Sequence, residues 1–479
     1  MTSPSSSLAS LLCVARELFC KGKREEALDI FEAALEVRRN PIKPANADKV
    51  SKKLQWGDEK LQDTKESDSP VAYPHNLPDT YHEDECDVGP RPYRLPLFPE
   101  HLLGSEDPHE LAYFDSIMMY NRALHYHLSS DFTEGMKLYE TLALSVANAL
   151  QQQEERNNDC SNTNSLVYEK LLELMMRVNN NMACIAYTLR LEDVALRNFE
   201  SALLFANRYF SLQETHQNKD LQLDYAALLS NWCRVHWMTG DITEDVHQGL
   251  QDVLRIRSSI LGWNHMDTAA AHFNLGVSEY ARNKPDAAMD HLFSYLQVAA
   301  QEAKTDKKKK VLDPIPALIY ILLVKNEHKE DEMSQELVRG LRSLQEKRAD
   351  VGPRGAEVAS VLNYTGTLLF HQHDYEHALL FFQEELRLEE NLVLNEDDVS
   401  VSVTCNNIGR ILQELNRLPE AKTYYYRALK SHYGDDIEDW CSQPKGSDSC
   451  PLELTKKKTE NLPHTTMQLY SAVWYNLGT

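Results

Sequence analysis

Asn181-Met182-Ala183-Cys184-Ile185-Ala186-Tyr187, followed by Ala195, Phe199 and Ala202, carries the frame on which the chain is organised. Ala183 is followed twelve positions later by a second small residue, Ala195, and four positions after that by an aromatic, Phe199. The frame returns at Gly366, Ala378 and Phe382, and again at Gly409, Ala421, Tyr425 and Ala428. It fits Gly276, Ala288 and Leu292, then Ala15, Ala27, Phe31 and Ala34, and finally Ala123, Gly135 and Tyr139. Six occurrences at one spacing are the mark of an internal structural repeat.

The spacing predicts a helical hairpin. Two antiparallel helices approach closely where both carry a small side chain, and twelve residues span the turn between them. The aromatic one helical turn further on is expected to fill the groove toward the next hairpin. Turn chemistry falls where the hairpins need it, at Lys21-Gly22-Lys23, Ser130-Asp131, Asn283-Lys284-Pro285-Asp286, His373-Asp374 and Asn416-Arg417-Leu418-Pro419. Pro285 and Pro419 stand at the start of second helices, where a missing N–H is tolerated. Leu379, Phe382, Leu386 and Leu388 show helical apolar spacing.

This frame resembles the tetratricopeptide repeat, whose signature opens W-x-x-L-G, and in particular its kinesin-light-chain-like form. Leu261-Gly262-Trp263-Asn264-His265-Met266-Asp267-Thr268-Ala269, leading into Asn274-Leu275-Gly276, carries the likeness. So does Asp398-Val399 through Asn406-Asn407-Ile408-Gly409 to Tyr424-Tyr425-Tyr426-Arg427-Ala428-Leu429. The 43-residue steps from Cys233 to Gly276 and from Gly366 to Gly409 suit that longer repeat. The resemblance implies an all-α fold, a right-handed superhelical solenoid of about eight hairpins whose first helices line a concave groove. No sustained heptad run accompanies it, so the likeness is one of repeat and not of transport.

The expected organisation is a first hairpin over 8–40, a Pro-rich insertion over 41–110, a repeat array over 111–433, a flexible linker over 434–464 and a last segment over 465–479. The insertion holds ten of the 19 prolines and shows no helical periodicity, which predicts an extended or disordered segment. Within the array, Asn157–Ser165 and Thr305–Lys310 read as polar loops. Pro314–Lys347 reads as two helices, Ile315–Lys325 and Glu332–Lys347, without the small-residue pair: a degenerate repeat. The repeat around Cys233 slips by about a residue at Gly240-Asp241. Trp474-Tyr475-Asn476-Leu477-Gly478 reproduces the W-x-x-L-G opening, either as a capping helix or as the start of a further repeat.

Composition narrows the function classes. Lys and Arg number 50 against 73 Asp and Glu, a formal net charge of -23, which disfavours nucleic acid and anionic membranes. The nine cysteines are scattered and never spaced C-x-x-C, so neither a disulfide framework nor a zinc site is expected. Cys13 and Cys184 read as packing residues. Neither a signal peptide nor a membrane span is read, which makes the cytoplasm the expected address. No phosphate-binding loop, dinucleotide fingerprint or nucleophile elbow is present, and no cofactor is expected. The best metal candidate is His371, His373 and His377 with Asp374 and Glu376, at a helix–helix turn. It sustains an alternative reading as a metal-dependent helical enzyme, with a structural subunit binding through its convex face and insertion as a further one.

The favoured polar feature is an asparagine ladder. Asn121, Asn181, Asn231, Asn274, Asn407 and Asn476 each stand two positions before the small residue of their repeat. In the family resembled, that side of the first helices lines the groove, where amides could pair with the backbone of an extended peptide. The competing account is that each Asn bonds a neighbouring helix and fixes repeat stacking. Arg177 and Arg410 are candidate anchors for acidic groups. A clamp for the acidic tails of heat-shock chaperones would need a basic residue one turn before each Asn. Ile117, Arg177, Ala227 and Ala270 supply only one. The expected function is therefore a protein-interaction scaffold or adaptor binding a peptide segment or partner domain, with no covalent chemistry.

Overall fold

The computed structural model describes residues 108–159, 166–212, 218–240, 243–305, 312–392 and 399–433, with single positions between 14 and 33 and at 473 and 476. Among the described residues the secondary structure is entirely helical. The helices pair as hairpins: α1 Pro108–Leu128 with α2 Phe132–Asp159, α3 Leu166–Thr188 with α4 Glu192–Leu212, and α5 Lys219–Met238 with α6 Glu244–Leu261. There follow α7 Met266–Ala281 with α8 Pro285–Thr305, and α9 Ile315–Asn326 with α10 Glu332–Val351. The last are α11 Ala356–His371 with α12 Tyr375–Leu392, and α13 Val399–Glu414 with α14 Leu418–Tyr433. The described helices fall into two compact units that meet in sequence at Ala271 and His272, within α7. No described helix is long and apolar enough to cross a membrane.

Apart from α9–α10, each hairpin carries the small-residue frame or, at α5–α6, its inverse. A Cβ at Gly366 would lie 2.9 Å from Cε2 of Phe382, and one at Gly409 would lie 2.7 Å from Cδ1 of Tyr425. One at Gly276 would lie 3.0 Å from Cγ of Leu292. The large residue thus lies over the small residue of its own hairpin, sixteen positions earlier, and in the first pair Tyr139 also reaches Asn181 of the next hairpin, as the sequence led us to expect. The hairpin of α5 and α6 inverts the arrangement. Its glycine, Gly249, is on the second helix, where a Cβ would meet Sγ of Cys233 at 2.8 Å.

The turns obey the same frame. Ser130, Arg190, Gly240, Asn283, His373 and Asn416, each seven positions after its small or cysteine residue, have φ between 57° and 79°. This left-handed residue lets the next N–H reach back five residues, as in Asp131 N to Tyr126 O at 2.9 Å and Arg417 N to Leu412 O at 2.8 Å. The slip read at Gly240-Asp241 lies after this residue. Gly240 keeps its place, and α6 starts eleven residues after Cys233 where the other second helices start nine after theirs. Between hairpins, Gly262 and Gly352 share one conformation, φ 85° and 80° with ψ 166° and 167°, which side chains disfavour.

Two boundaries move. The first helix starts at Pro108 and not at 111, because proline is at home in a first turn. The α2 helix continues to Asp159, so 157–159 belong to it and not to a loop. The degenerate repeat does form two helices, but α10 uses its glycine on the following hairpin: a Cβ at Gly340 would lie 3.3 Å from Oγ1 of Thr365. The expectations for 41–107, 160–165, 306–311 and 434–464 lie outside the described residues. In the first hairpin Ala15, Leu18, Ala27 and Ile30 are buried.

Gly409→Ala drives a methyl into the Tyr425 ring and is expected to destabilise the fold by about 1–3 kcal/mol. The gain in helix propensity, about 1 kcal/mol, only partly offsets this. Thermal denaturation followed by circular dichroism measures it, and an unchanged melting temperature would contradict the contact.

Candidate functional site

The asparagine ladder divides between the interior and the surface. Asn121, Asn181 and Asn231 are buried, at 1%, 0% and 6% exposure. Asn181 Nδ2 on α3 donates to Tyr139 Oη at 3.0 Å and Tyr120 Oη at 3.3 Å, on the two helices of the preceding hairpin. Asn231 Nδ2 on α5 donates to Asn180 Oδ1 on α3 at 3.0 Å, and Asn180 Nδ2 donates to Asn181 Oδ1 at 3.2 Å. Asn476 Nδ2 likewise donates to Asn406 Oδ1 on α13 at 3.1 Å. In these three rungs the acceptors Tyr120, Asn180 and Asn406 stand three positions before the small residue of the hairpin they belong to. Burial lifts the Tyr120 and Tyr139 phenols well above the ordinary tyrosine range, so both remain hydroxyls.

The expectation that Asn121, Asn181 and Asn231 line an open groove is therefore corrected. They are sealed inside the stack, and the amides of Asn181 and Asn231 bond the neighbouring hairpin. Arg177 needs the same correction. Its Nη2 lies 2.7 Å from Asp224 Oδ2 and 3.1 Å from Glu173 Oε1, and Glu173 also holds Lys170 at 2.7 Å. Its charge is already answered, by a carboxylate on α5 that lies 47 residues away in sequence.

The matching face of the second unit is open. On α13, Val399, Val403, Asn407, Arg410 and Glu414 follow helical spacing, and all are at least partly exposed. In the same frame on α11, Ser360, Tyr364 and His371 are exposed. Asn274 on α7 is half-buried. The Arg410 guanidinium lies 5.2 Å from the centroid of the Phe370 ring. The other arginines from α11 to α14 each hold a carboxylate: Arg387 with Glu384, Arg417 with Glu420, and Arg427 with Glu390. Arg410, among the described residues, holds none.

The candidate metal ligands do not converge. His373 Nδ1 is 2.7 Å from Tyr375 Oη, and His377 Nδ1 is 2.7 Å from Asp374 Oδ1. Among the described residues no three His, Cys, Asp or Glu side chains are placed to hold an ion. The sequence reading missed a different pair. His272 on α7 and His291 on α8 bring their Nδ1 atoms to 3.0 Å, so one ring donates to the other. Burial lowers the pKa of both, that of His272 to about 4.

Asn181→Ala leaves two buried phenol hydroxyls without their donor and is expected to cost about 1–3 kcal/mol. Asn407→Ala, on the open face, is expected to stay within about 0.5 kcal/mol. Parallel thermal melts distinguish them, and equal losses would contradict the division.

The tetratricopeptide repeat model matches residues 7–40 and 401–432, the second span being α13 and α14. Among solved structures, BtubC (BKLC) from P. vanneervenii is 15% identical, with 65% of this chain and 97% of that one covered and a TM-score of 0.26. The nearly identical TPR-like repeats of a kinesin-light-chain-type protein from Podosopora anserina are 12% identical, covering 56% of this chain and 97% of that one, with a TM-score of 0.27. At such scores the likeness says nothing of what this chain binds. No curated protein sequence matches it. The two matched spans are tetratricopeptide repeats, and the same small-residue frame and left-handed turn recur in the helical hairpins between them.

Proposed function

We propose that this scaffold holds an extended peptide segment of a partner protein across the open faces of α11 and α13. Tetratricopeptide repeats in general mediate protein–protein interaction. What supports this finer reading is a single contrast: Arg410 is exposed and, among the described residues, holds no carboxylate, while Arg177, two helical turns earlier in the frame on the same face of α3, is neutralised by Asp224 and Glu173. Arg410 would receive an acidic side chain, and the Phe370 ring beneath it shields one side of that pair from water. One helical turn away, the Asn407 amide can both donate to and accept from a peptide backbone. Val399, Val403 and Tyr364 offer apolar contact on either side. The formal net charge of -23 repels strongly acidic segments, so the reading favours one carboxylate among apolar residues.

The test uses synthetic peptides carrying one Asp or Glu among apolar residues, titrated against the full chain. Arg410→Ala should weaken the selected peptides about tenfold, the loss of one charge-assisted pair. Arg417→Ala, which removes an arginine already paired with Glu420, should leave them unchanged. Equal losses in the two variants, or none in either, would contradict the assignment.

A further inference from the structure

The α11–α12 hairpin breaks the core pattern at one position. Seven residues after the second small residue of the frame, the chain places Ala202 in α4 and Ala428 in α14, both fully buried. In α12 the same position is Glu385, only 3% exposed. A carboxyl therefore stands where α4 and α14 bury a methyl.

Its described surroundings are polar, and no cation is among the groups that shift its carboxyl. Oε1 accepts from Asn363 Nδ2 on α11 at 2.9 Å, while Oε2 is buried without a hydrogen-bond partner. Thr404 on α13 faces it, its buried hydroxyl near enough to act on the carboxyl but outside hydrogen-bond geometry. Glu389, one turn along α12, adds a like charge. The neighbouring Cys405 thiol is pushed up to about 12 by burial and then by Glu389, so it too offers no positive charge. Asn363, Thr404 and Glu389 are the described groups from α11, α13 and α12 that act on Glu385.

We propose that Glu385 is held as a neutral carboxylic acid inside the stack, and that this makes the packing of α11, α12 and α13 proton-dependent. A buried, unpaired carboxylate is costly, whereas its protonated form gains a donor for Oε2 with Thr404 and Glu389 at hand. Burial raises its pKa from 4.5 to about 8; the Asn363 hydrogen bond opposes it, Glu389 adds to it and Thr404 opposes it least. The sign follows. Between these two values the unfolded chain releases a proton that the folded chain keeps, so stability is greatest below 4.5 and is lost as pH rises toward about 8. In that window the folded-to-unfolded ratio of the segment falls by up to roughly tenfold per pH unit. The inference does not rest on peptide binding.

Infrared difference spectra of the full chain and of Glu385→Gln read the proton directly. At neutral pH the wild-type chain should show a protonated-carboxyl band that the variant lacks, and the band should vanish above about pH 8. Hydrogen exchange supplies the second reading, corrected for the intrinsic pH dependence of exchange. Protection of α12 and α13 should fall with rising pH in the wild type and stay level in Glu385→Gln, which mimics the neutral acid. If Glu385→Gln does not fold, Glu385→Ala, the residue used by α4 and α14, takes its place. Identical carboxyl bands, or the same pH slope in variant and wild type, would overturn the proposal.

Discussion

Close approach of two helices at a residue without bulk is the constraint from which the rest of this architecture follows. Phe382 can lie on α11, and Tyr425 on α13, only because Gly366 and Gly409 leave room for a ring. The ring over the glycine fixes the separation and register of a hairpin. The left-handed residue seven positions after the small one then fixes where the first helix stops. Five of those six residues are not glycine, and each bears a conformational cost of about 1–2 kcal/mol. The returning backbone bond and the packing beyond it offset that cost.

Stacking of one hairpin on the next draws on a second device. Asn181 and Asn231 in the first unit, and Asn476 in the second, each donate to a residue of the preceding hairpin. A buried amide costs free energy unless it is bonded, so each rung tolerates only one register between neighbours. Residues that look like a binding surface along one helix thus serve the array itself. The open surface lies along α11 and α13, where Tyr364, Asn407 and Arg410 stay at least partly exposed.

The hairpins, their turns and the degenerate repeat were legible in the sequence, because each depends on residues close in the chain. The small residue, the turn and the large residue all fall within sixteen positions. What was illegible depends on partners far apart. Periodicity places Arg177 and Arg410 on one face of the frame, but cannot reveal that Asp224, 47 residues on, meets the first of them. It places Asn181 beside Ala183 without indicating that Tyr120 and Tyr139 await its amide. The doublets Asn180-Asn181 and Asn406-Asn407 carried a usable signal, since two adjacent amides point to two different neighbours. Glu385 was readable as a departure from alanine, though its consequence required the burial to be known. His272 and His291 gave no signal, as their meeting across a hairpin follows only from the exact rotation of α7 and α8.

The central claim is that one face of the repeat frame is closed at Arg177 and open at Arg410. Arginine-selective modification of the folded chain with phenylglyoxal, read residue by residue after digestion, tests it most directly. The account predicts rapid modification of Arg410 and protection of Arg177 until the chain unfolds. Comparable rates at the two arginines in the folded protein would contradict it.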